Sequence, residues 1–223
     1  PRLASNLLLN DKTIGKQRVK RNMPLQISDR VRALGRQAQA DLGEQFARID
    51  AIAEENTQKV LAAFQKHRVA EAYFAGTTGY GYDDLGRDKL EEIYADIFGT
   101  EDALVRIGFV NGTHTIAAAM FSCVSAGDVF LSATGSVYDT LQTVVGLRGK
   151  VGGTFADYGI GYREVPLKEG RPDLPAIEQA AADPQVKGVF IQRSRGYAQR
   201  QTLSCEEIGE ICKVVRKVNP DTA

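Results

Sequence analysis

Apolar residues recur every three or four positions in the first third of the chain and predict an N-terminal helical arm over residues 27–75. Ser28 or Asp29 can cap a helix whose apolar stripe runs to residue 49, and a second helical stretch follows to Phe64. A third helix is expected to end at Gly99, since glycine readily adopts the left-handed conformation that terminates helices. Residues 1–26 carry a basic run with little periodicity, and we expect them to be disordered or foreign to the native protein.

Beyond residue 76, strand-like and helix-like patterns alternate. Strands are predicted at 103–107, 128–133, 162–167 and 186–192, and helices at 115–125, just after Tyr138, at 173–182 and at 205–218. Ser204 is placed to cap the last helix. This alternation predicts an α/β domain over residues 76–223, with a mostly parallel sheet flanked by helices.

The amino-acid composition indicates which kinds of partner the protein binds. The 28 basic and 28 acidic residues balance, which argues against nucleic acid or a membrane surface and favours a small molecule. Three cysteines without metal-ligand spacing indicate a reducing compartment, and Cys205 and Cys212 are expected to face one core. No apolar run approaches the ~20 residues of a membrane span, so we expect a cytoplasmic protein without a metal site.

The turn at Asn111–Thr115 has the features of an anion site. Gly112 allows a ligand close to the backbone, Thr113 and Thr115 carry hydroxyl donors, and the helix that follows supplies free amides and a positive dipole end. His114 could bond near a phosphate or only orient the turn. The alternative is an ordinary strand-to-helix turn capped by threonine.

Two further groups follow predicted strands, at the sheet edge where ligands of α/β proteins gather. Tyr138 comes after the strand at 128–133, and Arg193, Arg195 and Arg200 crowd the loop after the strand at 186–192. Guanidinium groups bind carboxylates with two parallel hydrogen bonds. The alternatives are a core tyrosine and a solvated basic loop.

Four strings, GYGYDDLGRDKLEE (79–92), NGTHT (111–115), GSVYDT (135–140) and QRSRGYAQR (192–200), resemble one family. It is the aluminium-resistance or cystathionine β-lyase (methionine γ-lyase-like) family of fold-type-I enzymes that depend on pyridoxal phosphate (PLP). The resemblance runs from about Ile27 to the C-terminus. It implies the PLP-dependent transferase fold, with this chain holding part of the large domain.

The resemblance also implies residue roles. The residues expected to bind the cofactor are Gly112, Thr113, His114, Thr115, Tyr138, Ser194, Tyr80 and Tyr82. The phosphate would lie at the NGTHT turn, and the ring of Tyr138 would stack on the pyridine ring. Tyr80 or Tyr82 would reach across a subunit interface. Arg193 and Arg195 would bind the substrate carboxylate; the alternative is that their loop holds the phenolic oxygen of the cofactor. The family has Tyr-x-Arg near Tyr80, whereas this chain has no arginine there.

The implied function is PLP-dependent carbon–sulfur lyase chemistry on a sulfur-containing amino acid, in a homodimer or homotetramer. The family's Schiff-base lysine and the aspartate that pairs with the pyridine nitrogen are expected beyond Ala223. The sheet is therefore expected to be incomplete at its C-terminal side, and the chain by itself inactive. The alternatives are an aminotransferase or racemase on the same fold and a non-catalytic module that binds a phosphorylated metabolite.

Overall fold

A computed structural model describes residues 27–77 and 84–223. The basic segment 1–26, Tyr80 and Tyr82 lie outside the described residues, so the predictions made for them stay predictions. The described chain falls into two compact units that divide between Ala103 and Leu104.

The first unit is helical. Its helices are α1 (Asp29–Asp41), α2 (Gly43–Lys66) and α3 (Leu85–Phe98), with a 3-10 turn at Glu71–Phe74. The Ser28 hydroxyl accepts a hydrogen bond from the Val31 amide at 3.4 Å, and Gly99 ends α3 at φ 67°, so both predicted helix ends are confirmed. None of the described helices is both long and apolar enough to cross a membrane.

The first helix is shorter than the apolar pattern predicts. Leu42 leaves helical geometry at φ −102° and ψ 10°, and α2 then continues the same stripe. The interruption falls beside Gly43, whose backbone entropy weakens a helix at this point. The expectation of one helix to residue 49 is therefore wrong.

The second unit is an α/β structure. Its helices are α4 (Gly112–Ser122), α5 (Asp139–Val144), α6 (Leu174–Ala181) and α7 (Cys205–Val218), with a 3-10 turn at Ala156–Tyr158. Three parallel strands, β1 (Val129–Ser132), β2 (Gly161–Glu164) and β3 (Val186–Phe190), lie in the order β2-β1-β3. The predicted parallel sheet flanked by helices is confirmed.

Side chains of the central strand β1 pack on both faces of the sheet, because successive residues of a strand point to opposite sides. Val129 and Leu131 pack into one core with α6 and α7, where Ile177 and Ile211 are fully buried. Phe130 packs into the other core, whose members come from α4, α5 and the segment that follows α5: Met120, Leu141, Val145 and Phe155. The helices on the two faces hold the carboxyl end of β1 in a fixed position.

Two sequence predictions fail in the second unit. Residues 103–107 form no strand, and Ile107 is fully exposed. The sheet of the described residues consists of β2, β1 and β3 and does not include this segment. Cys205 and Cys212 are both exposed. The buried face of α7 is set by Ile211 and Val215, four residues apart, and Cys212 is rotated about 100° from Ile211.

Candidate functional site

A cavity of about 470 Å³ opens at the carboxyl ends of the three strands. Its walls come from segments that directly follow β1, β2 and β3, and they include residues 134–139, 164, 166–167, 192, 195–198 and 200. Each strand delivers its following loop to the same edge, because all three run parallel. This is the edge where open α/β sheets bind ligands.

The backbone leading into Tyr138 is held from the two neighbouring strands. The Val137 amide donates to the Tyr162 hydroxyl at 3.4 Å, and the Tyr138 amide donates to the Gln192 side-chain oxygen at 2.9 Å. Tyr162 in turn donates to Glu164 at 3.0 Å. Burial raises the pKa of Tyr162 to about 12, so its hydroxyl stays protonated at neutral pH and keeps this bond.

The ring of Tyr138 lines the cavity and stacks on Tyr197, with 5.9 Å between ring centroids and 24° between ring planes. The neighbouring Tyr197 hydroxyl raises the pKa of Tyr138. Gly196, at φ 56°, lets the loop turn tightly against the Tyr138 ring. Tyr138 thus reaches the predicted edge of the sheet, and its stacking on a cofactor stays a prediction.

The three loop arginines have different environments. Arg195 lines the cavity and is exposed. Arg200 is buried and donates to the carbonyl oxygens of Gln192 and Ser194, and its desolvation lowers its pKa. Arg193 is exposed and outside the cavity lining. Of the two arginines predicted to bind a carboxylate, the structure therefore brings only Arg195 to the cavity.

The NGTHT turn forms the first turn of α4. The side-chain oxygen of Asn111 accepts from the His114 amide at 2.9 Å, and the Thr115 hydroxyl donates to the Asn111 carbonyl at 3.1 Å. His114 Nδ1 accepts from the Val110 amide at 3.3 Å, so His114 helps to shape the turn. Open space surrounds the position where Gly112 would carry a side chain.

One hydrogen bond links this turn to the cavity wall. The hydroxyls of Thr113 and Thr140 lie 2.9 Å apart, and Thr140 is two residues from Tyr138. The residues of the turn do not themselves line the cavity. The predicted phosphate turn and ring-binding tyrosine therefore lie side by side, joined through the start of α5.

Sequence reasoning missed Gln192, Tyr162 and Tyr197 as site residues. Gln192 and Tyr197 both belong to the QRSRGYAQR string, so the family resemblance contained a signal for them. Tyr162 gave no signal in the sequence, because its role arises only from the pairing of β2 with β1.

The match to known proteins covers most of the chain. A family model described as methionine gamma-lyase matches residues 31–223. The chain belongs to the methionine gamma-lyase family. The resemblance noted in the sequence is thereby confirmed.

Relatives in this family are similar along the same region. YnbB of Bacillus subtilis, described as uncharacterized, is 44% identical over 82% of this chain and 44% of its own length. Solved structures include a carbon-sulfur lyase involved in aluminum resistance from Clostridium novyi (43% identity, TM-score 0.82, 87% of this chain and 47% of that one). A candidate cystathionine beta-lyase involved in aluminum resistance from Clostridium acetobutylicum is similar at 42% identity and TM-score 0.83, over 87% and 47% of the two chains. The chain spans about half the length of these relatives.

A more distant structure supports the fold. The pyridoxal-5'-phosphate dependent protein YhfS from Escherichia coli matches 73% of this chain and 42% of its own at TM-score 0.52, with 18% sequence identity. The predicted fold, an α/β fold of the fold-type-I PLP-dependent class, is confirmed.

Proposed function

We propose that the protein containing this chain is a PLP-dependent carbon–sulfur lyase that acts on a sulfur-containing amino acid. The observation that carries the proposal is the family match over residues 31–223. The cavity at the carboxyl edge of the sheet supports it, because its walls combine an aromatic ring, Tyr138, with a cation, Arg195.

The first turn of α4 fits a phosphate group. The first amides of a helix have no acceptor within the helix, and the helix dipole is positive there. The side-chain oxygen of Asn111 accepts a hydrogen bond from the His114 amide. The amides of Gly112 and Thr113, which precede it, would then bind the ligand. The open space beside Gly112 gives an oxyanion access to them.

The remaining residues fit the ring and the substrate. Tyr138 presents an aromatic face that would pack against the pyridine ring, a type of contact that contributes ~0.5–1.5 kcal/mol beyond burial. Arg195 lies in the same cavity and would bind the amino-acid carboxylate with two hydrogen bonds. Roles for His114, Thr115, Ser194 and Arg193 in binding are part of the same proposal.

Bound PLP supplies an electron sink that stabilises negative charge at the substrate α-carbon. The chain's own residues bind and orient. Gly112 and Thr113 hold the phosphate end, Tyr138 fixes the plane of the ring, and Arg195 sets the direction of the substrate carboxylate. Orientation of this kind decides which bond at the α-carbon breaks.

The test of the phosphate site is Gly112→Val in the whole protein. A Cβ placed at Gly112 has no atom of the described residues within 4 Å, so we expect a side chain there to obstruct a ligand without disturbing the fold. We expect the Kd for PLP, measured by absorbance titration, to rise at least about tenfold. Gly108→Val is the matched control, because Gly108 also has open space and precedes α4. Wild-type affinity in Gly112→Val would place the phosphate elsewhere.

The reaction is tested by incubating the whole protein with sulfur-containing amino acids and measuring released thiol. Thiol and keto acid formation supports the lyase. Transfer of the amino group or loss of optical activity without thiol release would indicate the aminotransferase or racemase alternative. PLP binding without turnover would indicate a binding module. The polypeptide of residues 1–223 alone is proposed to be inactive in the same assay.

We also propose a homodimer or homotetramer. Helices α1 and α2 carry exposed apolar side chains along one stripe, including Val31, Leu34, Phe46 and Ile49, and no residue of α1 is buried. An uncovered stripe of this kind is typical of a helix that packs on a partner. Leu34→Glu should shift the sedimentation coefficient to a smaller species, whereas Arg36→Glu, on the opposite side of the same exposed helix, should not. A monomer that holds its full complement of PLP would contradict the proposal.

A further inference from the structure

Gln192 connects two segments of the cavity wall. Its amide donates to the Thr134 hydroxyl at 2.9 Å, and its side-chain oxygen accepts from the Tyr138 amide at 2.9 Å. Its side-chain nitrogen donates to the Ser194 carbonyl at 3.2 Å. One residue at the end of β3 therefore ties the segment after β1 to the arginine loop.

Arg200 closes that loop from the inside. One of its terminal nitrogens donates to the carbonyls of Gln192 at 3.0 Å and Ser194 at 2.7 Å, and the other donates to Gln201 at 2.9 Å. Only 9% of Arg200 is exposed, and no carboxylate of the described residues lies within ion-pair distance of it. Burying a guanidinium without a counter-ion is costly, and charge-assisted bonds to carbonyl oxygens offset that cost. Both terminal nitrogens of the guanidinium are therefore engaged in shaping the loop.

The loop shaped in this way carries the groups that face the cavity. The Ala198 amide donates to the Arg195 carbonyl at 2.9 Å, which forms a turn around Gly196 and Tyr197. That turn delivers Arg195 to the cavity and Tyr197 onto the Tyr138 ring. The two sides of the site, Tyr138 and Arg195, are thus held in one hydrogen-bonded frame.

We propose that Gln192 and Arg200 are positioning residues that set the distance and angle between Tyr138 and Arg195. This inference rests on the proposed function, in which Tyr138 meets the cofactor and Arg195 the substrate. Gln192 acts on the Tyr138 backbone, and Arg200 acts on the loop that holds Arg195.

The first test needs neither cofactor nor substrate. Gln192→Leu removes the acceptor of the Tyr138 amide, and we expect hydrogen exchange at that amide, followed by NMR, to accelerate about three- to tenfold. Gln192→Glu keeps an acceptor oxygen and should restore most of the protection. Gln185→Leu is the matched control, since Gln185 is exposed and directly precedes the same strand that Gln192 follows.

The second test uses the whole protein. Arg200→Lys keeps the charge but loses the planar fork of donors, and we expect KM for the amino acid to rise about 10- to 100-fold with a smaller change in kcat. Arg216→Lys is the control, because Arg216 also donates to backbone carbonyls, those of Pro220 and Thr222, far along the chain from the cavity.

The outcomes of these tests distinguish a failure of the positioning roles from a failure of the proposed function. Unchanged exchange at Tyr138 in Gln192→Leu, or equal KM values in Arg200→Lys and Arg216→Lys, would overturn the positioning roles. A wild-type protein that binds no PLP would overturn the proposed function, and the exchange of the Tyr138 amide would still decide the role of Gln192.

Discussion

Tyr138 illustrates how much of this site is decided by single residues. Its backbone is fixed by Gln192 and, one residue earlier, by Tyr162, while its ring is covered by Tyr197. A side chain fixed at both backbone and ring keeps its orientation without a ligand. Preorganisation of this kind reduces the entropy that ligand binding must overcome.

Replacing Tyr138 should separate the role of the ring from that of the hydroxyl. Tyr138→Ala removes the aromatic face and should raise the Kd for PLP about two- to tenfold, in line with the energy of a stacked aromatic pair. Tyr138→Phe keeps the face and should bind like the wild type. Absorbance titration measures both, and equal affinities of the alanine variant and the wild type would exclude stacking.

Gly196 should tolerate no side chain. Its φ of 56° costs an L-residue about 1–2 kcal/mol, and a Cβ would lie 3.1 Å from a ring carbon of Tyr138. Gly196→Ala should therefore push Tyr138 and Tyr197 apart, seen as a changed tyrosine chemical shift in NMR spectra. Gly149→Ala provides a control for the backbone strain alone, because Gly149 also has positive φ but nothing near its Cβ position.

At the scale of elements, α7 has the bounds and the N-cap that the sequence predicts. The Ser204 hydroxyl accepts from the Glu207 amide at 3.2 Å, and the Glu207 carboxylate accepts from the Ser204 amide at 2.8 Å. This reciprocal pair satisfies two amides that the first turn of the helix would leave free. The helix then packs its apolar face against the sheet through Ile211 and Val215.

Ser204→Ala should destabilise the protein by about 1 kcal/mol, because it removes an N-cap acceptor. Ser204→Asp keeps an acceptor beside the positive end of the helix and should retain near wild-type stability. Urea unfolding followed by circular dichroism measures the difference. Equal stabilities of the alanine and aspartate variants would show that the cap is energetically silent.

At the scale of the whole molecule, carboxylates held by hydrogen bonds link stability to pH. Bonds from the backbone and side chain of Thr154 lower the pKa of Asp157. A bond from the Gln185 amide, followed by the ion pair with Arg163, lowers the pKa of Asp183. A carboxyl with a depressed folded pKa stabilises the fold above its unfolded pKa, and that contribution is lost as pH falls through the folded value.

Stability should therefore hold at neutral pH and decline below about pH 4, the unfolded pKa of aspartate. Asp157→Asn should be less stable than the wild type at pH 7 and should show a shallower decline towards pH 3. Urea midpoints at a series of pH values provide the measurement. If the stability of the variant and that of the wild type fall equally with pH, Asp157 does not contribute to the pH dependence.

The sequence by itself determined the elements whose signals are local. The caps Ser28 and Ser204 both accept hydrogen bonds from the amides that their positions predict, and Gly99 ends its helix in the left-handed conformation. The runs at β1 and β3 became strands, as their β-branched and aromatic residues predict, and β1 is buried throughout. The NGTHT turn became the start of α4 for the same local reasons of capping.

Only the tertiary structure decided which residues meet. Residues 103–107 have the composition of a strand but form none with the strands of the described residues, because strand formation depends on a partner that sequence periodicity does not reveal. Arg195 and Arg200 belong to the same charged string and both contribute to the cavity wall, yet Arg195 is exposed and Arg200 is buried against carbonyl oxygens. Their difference arises because the order β2-β1-β3 brings the loops after three separate strands together, and hydrogen bonds across those loops join residues more than 50 positions apart.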